Sequence, residues 1–404
     1  MRRPRWSTGA PITAVTLLLV AGLLTAACER GGPPLGRETT PPAPVVPTPI
    51  AGAAKDLFPF STGGWRTDFS RHSVPLSEIL PGGPPRDGIP PIDAPKFLPV
   101  AAGDGFLRDT EPVIALVLNG DARAYPVRIL IWHEIVNDTV GGMPVAVTFC
   151  PLCNIAIVFD RRVEGQVLDF GTTGNLRHSD LVMWDRQTES WWQQATGEAI
   201  VGALTGKRLA FLPAAIVAWR DFKAAYPRGA VLSQETGHER PYGINPYVGY
   251  DEADQPPFLF KGSPDGRLLP KERVVTVSLN GEDVAYPFSV LQRLRVVNDT
   301  VGGTPIVVVW QPGTASPLDA EVLRESKDVG AAAAYHAVLD GRRLTFRAEA
   351  EGFVDAETAS RWTLLGQAVA GPLAGRQLEP VVHGNHFWFS WAVFKPHTRI
   401  YRAP

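Results

Sequence analysis

Apolar positions along this chain come in short runs broken by turn-forming residues. Residues 113–118, 145–149 and 155–159 are the clearest of these runs, and each is too short for an ordinary helix. Asn119-Gly120 stands between 113–118 and the alternating stretch 122–125. That dipeptide predicts a hairpin, because a type I′ turn needs positive φ at both central positions. Residues 167–170 read as a further strand, and the glycine-rich Phe170-Gly171-Thr172-Thr173-Gly174-Asn175 that follows reads as a tight turn. It lacks the lysine and the following helix of a phosphate-binding loop. Helical periodicity is scarce, and 219–226 carries it best, with Phe222 and Tyr226 four apart on one face.

The pattern recurs. Leu118-Asn119-Gly120 matches Leu279-Asn280-Gly281, and Ala124-Tyr125-Pro126 matches Ala285-Tyr286-Pro287. Val136-Asn137-Asp138-Thr139-Val140-Gly141-Gly142 matches Val297-Asn298-Asp299-Thr300-Val301-Gly302-Gly303. The offset is constant (280 − 119 = 161, and 298 − 137 = 161). Further on, Asp185, Thr188, Ser190 and Trp192 correspond to Asp355, Thr358, Ser360 and Trp362. The expected fold is therefore α+β and β-rich, with two internally duplicated units packed together and few short helices. Their limits are placed at 113–240 and 241–404, after an extension at 51–112.

The chain opens differently. Arg2, Arg3 and Arg5 precede an apolar stretch at 12–24, and Thr25-Ala26-Ala27 leads to Cys28. This is the three-part plan of a secretory signal peptide, residues 1–27, with an apolar run too short to span a membrane. Cysteine after two alanines resembles a lipobox, so Cys28 is the expected lipidation site. The prolines of 28–50 predict an extended tether. An extracytoplasmic protein held by lipid to the cell membrane or outer membrane follows as the expectation. Over its 404 residues the net charge is −2 with no run of like charge, which gives nucleic acid binding no electrostatic support.

With Cys28 set aside, two cysteines remain, Cys150 and Cys153. A pair two residues apart is a metal half-site, a redox couple or a local disulfide. A thioredoxin-like motif opens a helix, and none is predicted here. Cys150-Pro151-Leu152-Cys153 lies between two strand-like runs, as in a metal knuckle. One knuckle supplies two ligands where copper or zinc takes three or four. His133 and His178 are the candidates to complete such a site, with Met183 behind them. Glu134, Arg177 and Asp180 would orient ligands or substrate. In the second half His133-Glu134 becomes Leu294-Arg295, Cys150 becomes Gln311 and Cys153 becomes Thr314, so the reactive groups stand in one half alone. Trp192 has its counterpart in Trp362 and reads as core. Trp191 is replaced by Arg361 and could line a pocket. No Gly-x-Ser-x-Gly or His-Glu-x-x-His motif supports a hydrolase.

Four stretches carry a resemblance: Arg86-Asp87-Gly88-Ile89-Pro90, Thr148-Phe149-Cys150-Pro151-Leu152-Cys153-Asn154, the run from Phe170 to Arg177, and the run from Ser179 to Gln194. In these the chain is similar to the Domain of Unknown Function 3179 family, with Ile155 a departure where threonine is expected. The resemblance covers nearly everything after the tether and implies kinship without a settled activity. The functional expectation is accordingly a Cys-x-x-Cys metal or redox site, against a thiol-disulfide enzyme or a binding lipoprotein with a local disulfide.

Overall fold

The computed structural model describes residues 58–350 and 352–403. The expected signal peptide, the Cys28 lipidation site and the tether lie outside these residues. Among the described residues no helix is long and apolar enough to cross a membrane.

The protein is β-rich, with helices of seven residues at most among the described residues. Pro112–Leu118 and Asp121–Pro126 form the expected antiparallel hairpin, and Asn119 and Gly120 take φ of 50° and 82° at its tip. The short helix Val127–Leu130 turns the chain into a second hairpin, Ile135–Val140 with Met143–Cys150, closed by Gly141 and Gly142. Ile155–Asp160 pairs on the far side of Met143–Cys150. The second half sets out the same elements in the same order. Arg273–Leu279 pairs with Glu282–Pro287 through Asn280 and Gly281, the helix Phe288–Leu294 follows, then Val296–Val301 pairs with Thr304–Gln311, and Ala331–His336 adds the third strand.

Each half then builds an antiparallel meander stabilised by a buried aspartate. Asp185 accepts hydrogen bonds from the Thr188 amide (2.6 Å), Thr188 Oγ1 (2.9 Å) and Trp192 Nε1 (2.9 Å). Asp355 accepts from the Thr358 amide (2.6 Å), Thr358 Oγ1 (2.9 Å) and Trp362 Nε1 (2.9 Å). The indole thus buries its ring while its N–H finds a fixed acceptor, as a core tryptophan requires.

The apolar cores cross the midpoint of the chain. One joins Val147, Phe149 and Ile155 to Leu318, Phe387 and Phe389, and another joins Val113 and Trp219 to Val309, Ala333 and Phe346. The apolar faces of the two sets of strands are thus covered in part by each other.

Two sequence expectations are corrected here. The glycine-rich stretch predicted as a tight turn after a strand at 167–170 is itself the strand Phe170–Arg177, with a register shift between Thr172 and Leu176. Its glycines serve close approach rather than reversal. A Cβ on Gly171 would overlap Asp87 Oδ1 and Trp184 Nε1, and one on Gly174, at φ 76°, would overlap the Pro84 carbonyl. Trp191 lines neither of the cavities described below. It is buried against Phe60, Trp65 and Phe69, which the segment before the first hairpin supplies. The helix at 219–226 spans Trp219–Ala225, with Tyr226 at its C-cap and 5.4 Å between the Phe222 and Tyr226 rings.

Candidate functional site

The Cys-x-x-Cys segment is a strand-turn-strand unit. Met143–Cys150 ends at the first thiol, Pro151–Cys153 makes one 3-10 turn, Asn154 takes a left-handed φ of 54°, and Ile155–Asp160 runs back. Proline at the first position of the turn fixes its φ, and asparagine is among the residues that tolerate the left-handed exit. No helix follows, so neither sulfur receives the stabilisation that a helix N-terminus gives a thiolate. Gln194 braces the unit, donating to Thr148 Oγ1 at 2.9 Å and to the Ile155 carbonyl at 3.4 Å.

Both cysteines are buried and are not joined in a disulfide. Cys150 Sγ, Cys153 Sγ and a carboxylate oxygen of Asp180 all lie within 4.8 Å of one another. Asp180 opens the strand Asp180–Asp185, and its Oδ1 accepts from Gln193 Nε2 (2.6 Å) and the Ala195 amide (2.9 Å). Its Oδ2 is buried without a hydrogen-bond partner. Such a group is uncommon in a native interior and calls for a physical account. Burial raises the Asp180 carboxyl to about 7, although those two donors and the field of Arg177 pull it down.

Glu134 adds a second buried carboxyl. Burial and then the charge of Asp180 push it up to about 8. Its backbone is left-handed, at φ 58°, while its N–H donates to Leu130 O and its carbonyl accepts from the Phe149 amide. Arg295 repeats that conformation at φ 58°, with the equivalent bonds to Leu291 and Trp310. The strain therefore belongs to the helix-to-hairpin junction of each half, and only the side chain is particular to this site. Burial also raises both thiols, Cys153 furthest, and the charge of Asp180 adds to each. Two thiols and two carboxyls are thus buried together, and burial holds them towards their protonated forms.

A cavity of about 260 Å³ adjoins this cluster. Glu134, Leu152, Leu181, Tyr247, Tyr250 and Phe258 contribute to its wall. The phenols of Tyr247 and Tyr250 are raised by burial first, and then by Glu134 and Cys150 at Tyr247 and by the two cysteines at Tyr250. The segment Arg86–Asp93 packs across the same wall. Asp87 Oδ1 accepts from the Thr172 amide (3.0 Å) and Trp184 Nε1 (3.1 Å), the Ile89 carbonyl accepts from Thr172 Oγ1 (2.9 Å), and Ile89 lines the cavity. The Arg86 guanidinium lies over Trp184, 3.5 Å from the ring centroid.

The two histidines stand outside this cluster, His178 with its Nδ1 buried and unpartnered. His133 is within hydrogen-bond distance of the Pro90 carbonyl through Nδ1 (2.7 Å) and of the Tyr242 hydroxyl through Nε2 (2.6 Å), and burial lowers it to about 4. His178 sets Nε2 3.4 Å from Glu78 and packs its ring on Phe260 and Phe394. Among the described residues, the group of close ligand atoms around Cys150 and Cys153 is completed by Asp180 and by no imidazole. Met183 pairs with Thr172 and Trp192 in its sheet and is buried there. Arg177 is held by Glu78 at 2.7 Å and approaches Gln193 Oε1 at 3.4 Å. Sequence reasoning missed Tyr247, Tyr250 and Ser390, whose Oγ is 3.3 Å from the Cys153 carbonyl. They lie 94 or more residues beyond Cys153 (247 − 153 = 94), and no local pattern ties them to it.

Fold and site together define a β-rich protein with a buried dithiol-carboxylate cluster beside a small cavity. The chain belongs to the family described as Protein of unknown function (DUF3179), whose model matches residues 86–398. No curated protein and no solved structure matches it.

Proposed function

We propose that this protein is an extracytoplasmic lipoprotein that holds a copper or zinc ion at Cys150, Cys153 and Asp180, with Glu134 beside the open face of the site. The observation that carries this reading is the unpartnered Asp180 Oδ2, buried in a cluster where two sulfurs and a carboxylate oxygen lie within 4.8 Å. Four acidic side chains left in a dry interior are costly when ionised and reactive towards little when protonated. A divalent cation resolves both problems, since it displaces the protons and supplies the missing countercharge. Two thiolates with a carboxylate suit zinc better than a purely soft copper(I) set.

Three protein ligands leave a fourth position, as catalytic zinc sites do. The 260 Å³ cavity beside Glu134 is the route by which water or a small molecule would reach it. Glu134, raised to about 8, would hold or release a proton there. Lipid attachment at Cys28 is carried by the sequence pattern, and it would tether the domain by the proline-rich segment. We further infer that the two halves descend from one duplicated unit. The matching hairpin turns, the left-handed Glu134 and Arg295 and the Asp185 and Asp355 networks support this.

Metal analysis of anaerobically purified protein, with thiol titration on the same sample, tests the site. Near-stoichiometric zinc or copper that is lost in Cys150→Ser and Asp180→Asn is the expected result. Metal-free protein whose two thiols cycle reversibly to a disulfide would replace this reading with thiol redox chemistry.

A further inference from the structure

A second cavity, of about 370 Å³, lies between the helix Val127–Leu130, the residues just before the first hairpin, and the 3-10 turn Leu323–Glu325 of the second half. Its size is within the range of sites for small molecules. The wall carries three arginines, Arg108, Arg128 and Arg324. The chain at 242–244 joins the two sides, where the Leu323 amide donates to the Gly243 carbonyl at 3.0 Å and Ile244 bridges to Val322.

The three guanidinium groups meet here with little countercharge. Arg128 is fixed at the wall, donating to the Phe106 carbonyl and, from Nη2, to the Tyr242 carbonyl at 3.0 Å, and both acceptors belong to wall residues. A Cβ on Gly243, at φ 96°, would fall 2.0 Å from that Nη2, so glycine is what admits the group there. Arg108 and Arg324 are exposed to solvent. Arg108 donates through its backbone to Glu111 (3.1 Å), and no acceptor meets its side chain among the described residues. Arg324 Nε stands 3.7 Å from the exposed Glu325, beyond hydrogen-bond reach. Of the two carboxylates on the wall, Asp104 is taken by Lys223 (2.8 Å) and Trp219 Nε1 (2.7 Å). Glu111 is buried 3.4 Å from Arg128 Nη1, and burial raises its carboxyl, which lessens even that countercharge. Burial lowers Arg128, Glu111 pulls it back up, and the charges of Arg324 and Arg108 lower it again. With Glu111 fully ionised, two positive charges are still in excess (3 − 1 = 2). A single negative charge leaves one of them over, whereas a tetrahedral dianion balances both and offers guanidinium forks oxygens in pairs.

We propose that this cavity binds a phosphoryl dianion, either a phosphate ion or the head of a phosphate monoester, held by the guanidinium groups of Arg108, Arg128 and Arg324. Phe106, Ile244 and Val322 offer an apolar side to the organic part of an ester. This goes beyond the metal reading and does not depend on it, because Cys150, Cys153, Asp180 and Glu134 are not on this wall.

Isothermal titration calorimetry of the full chain with phenyl phosphate, inorganic phosphate and benzenesulfonate tests it at about pH 8, where a phosphate monoester carries two charges. Phenyl phosphate and benzenesulfonate share a ring and a tetrahedral oxyanion and differ in the second charge. Phenyl phosphate binding at least about tenfold tighter than benzenesulfonate is expected, and Arg108→Gln and Arg324→Gln should each weaken it about tenfold, as loss of one charge-assisted hydrogen bond would. Arg293→Gln, which removes an exposed charge off this wall, should leave it unchanged. Phenyl phosphate tighter than inorganic phosphate identifies an ester as the ligand, and equal affinity identifies the free ion. Benzenesulfonate binding as tightly as phenyl phosphate, no saturation by either phosphate, or equal losses in all three variants would each overturn the proposal. So would loss of binding on adding a chelator, which would place the anion on a metal at Cys150 instead.

Discussion

Asp180→Asn isolates the electrostatic tension of the cluster. The Asp180 carboxyl titrates at about 7 in the fold, against 3.8 when freely exposed. Below about pH 4 it is protonated in both folded and unfolded chains, and burial of its charge costs nothing. Between about pH 4 and pH 7 the unfolded chain ionises first, so stability falls as pH rises. At 1.36 kcal/mol per pKa unit the full penalty is about 4 kcal/mol above pH 7. Asparagine keeps an oxygen for Gln193 and Ala195 and cannot ionise. Its amide N–H₂ then occupies the place of the unpartnered Oδ2, which costs about 1–3 kcal/mol at every pH. Removing the charge also eases ionisation of Glu134, which acts in the same direction. The free-energy difference between variant and parent should therefore swing by about 4 kcal/mol in favour of the variant from about pH 4 to pH 8. Urea unfolding with a chelator present, at intervals across that range, measures it. With zinc in place of chelator the parent alone should be stabilised, since only it retains three ligands. A difference that stays constant within about 1 kcal/mol across the pH range would refute the reasoning, because a carboxyl titrating normally gives no such swing.

Three further outcomes follow from the contacts. His133→Phe and His178→Phe should leave the metal content unchanged, as their rings are engaged with Pro90, Tyr242 and Glu78, while His133→Phe loses about 1–3 kcal/mol in urea unfolding for its two buried hydrogen bonds. Gly171→Ala should cost about 1–3 kcal/mol, because the new methyl overlaps Asp87 Oδ1 and Trp184 Nε1, and tryptic cleavage after Arg86 should rise with it. Asp185→Ala and Asp355→Ala should destabilise by similar amounts, about 3–5 kcal/mol by thermal or urea unfolding, since each strips a half-buried threonine and a buried tryptophan of their acceptor, and a large disparity would count against equivalent roles in the two halves.

Much of the scaffold was legible in the chain. Asn119-Gly120 and Asn280-Gly281 named their hairpins because positive φ at two successive positions is a local demand that few residues meet. The strand-turn-strand setting of Cys150 and Cys153 was also readable, since short apolar runs and a proline at the turn act over a few residues. The stretch from Phe170 to Asn175 misled for the opposite reason. Glycine signals freedom, and the sequence does not say whether that freedom turns the chain or admits Asp87 and Pro84, brought in from more than 80 residues away.

For the site, the sequence by itself determined the two thiols, their spacing and their confinement to one half, all of which are facts of local order. Only the tertiary structure decided which third group stands beside them. His133 and His178 were chemically reasonable, but their rings touch Pro90, Tyr242 and Glu78, and the group whose oxygen stands beside the two sulfurs is Asp180. The same packing brought Tyr247, Tyr250 and Ser390 towards the cysteines. Whether a polar group is satisfied depends on what packs against it in three dimensions, and that is settled by burial of the shared core rather than by neighbours along the chain.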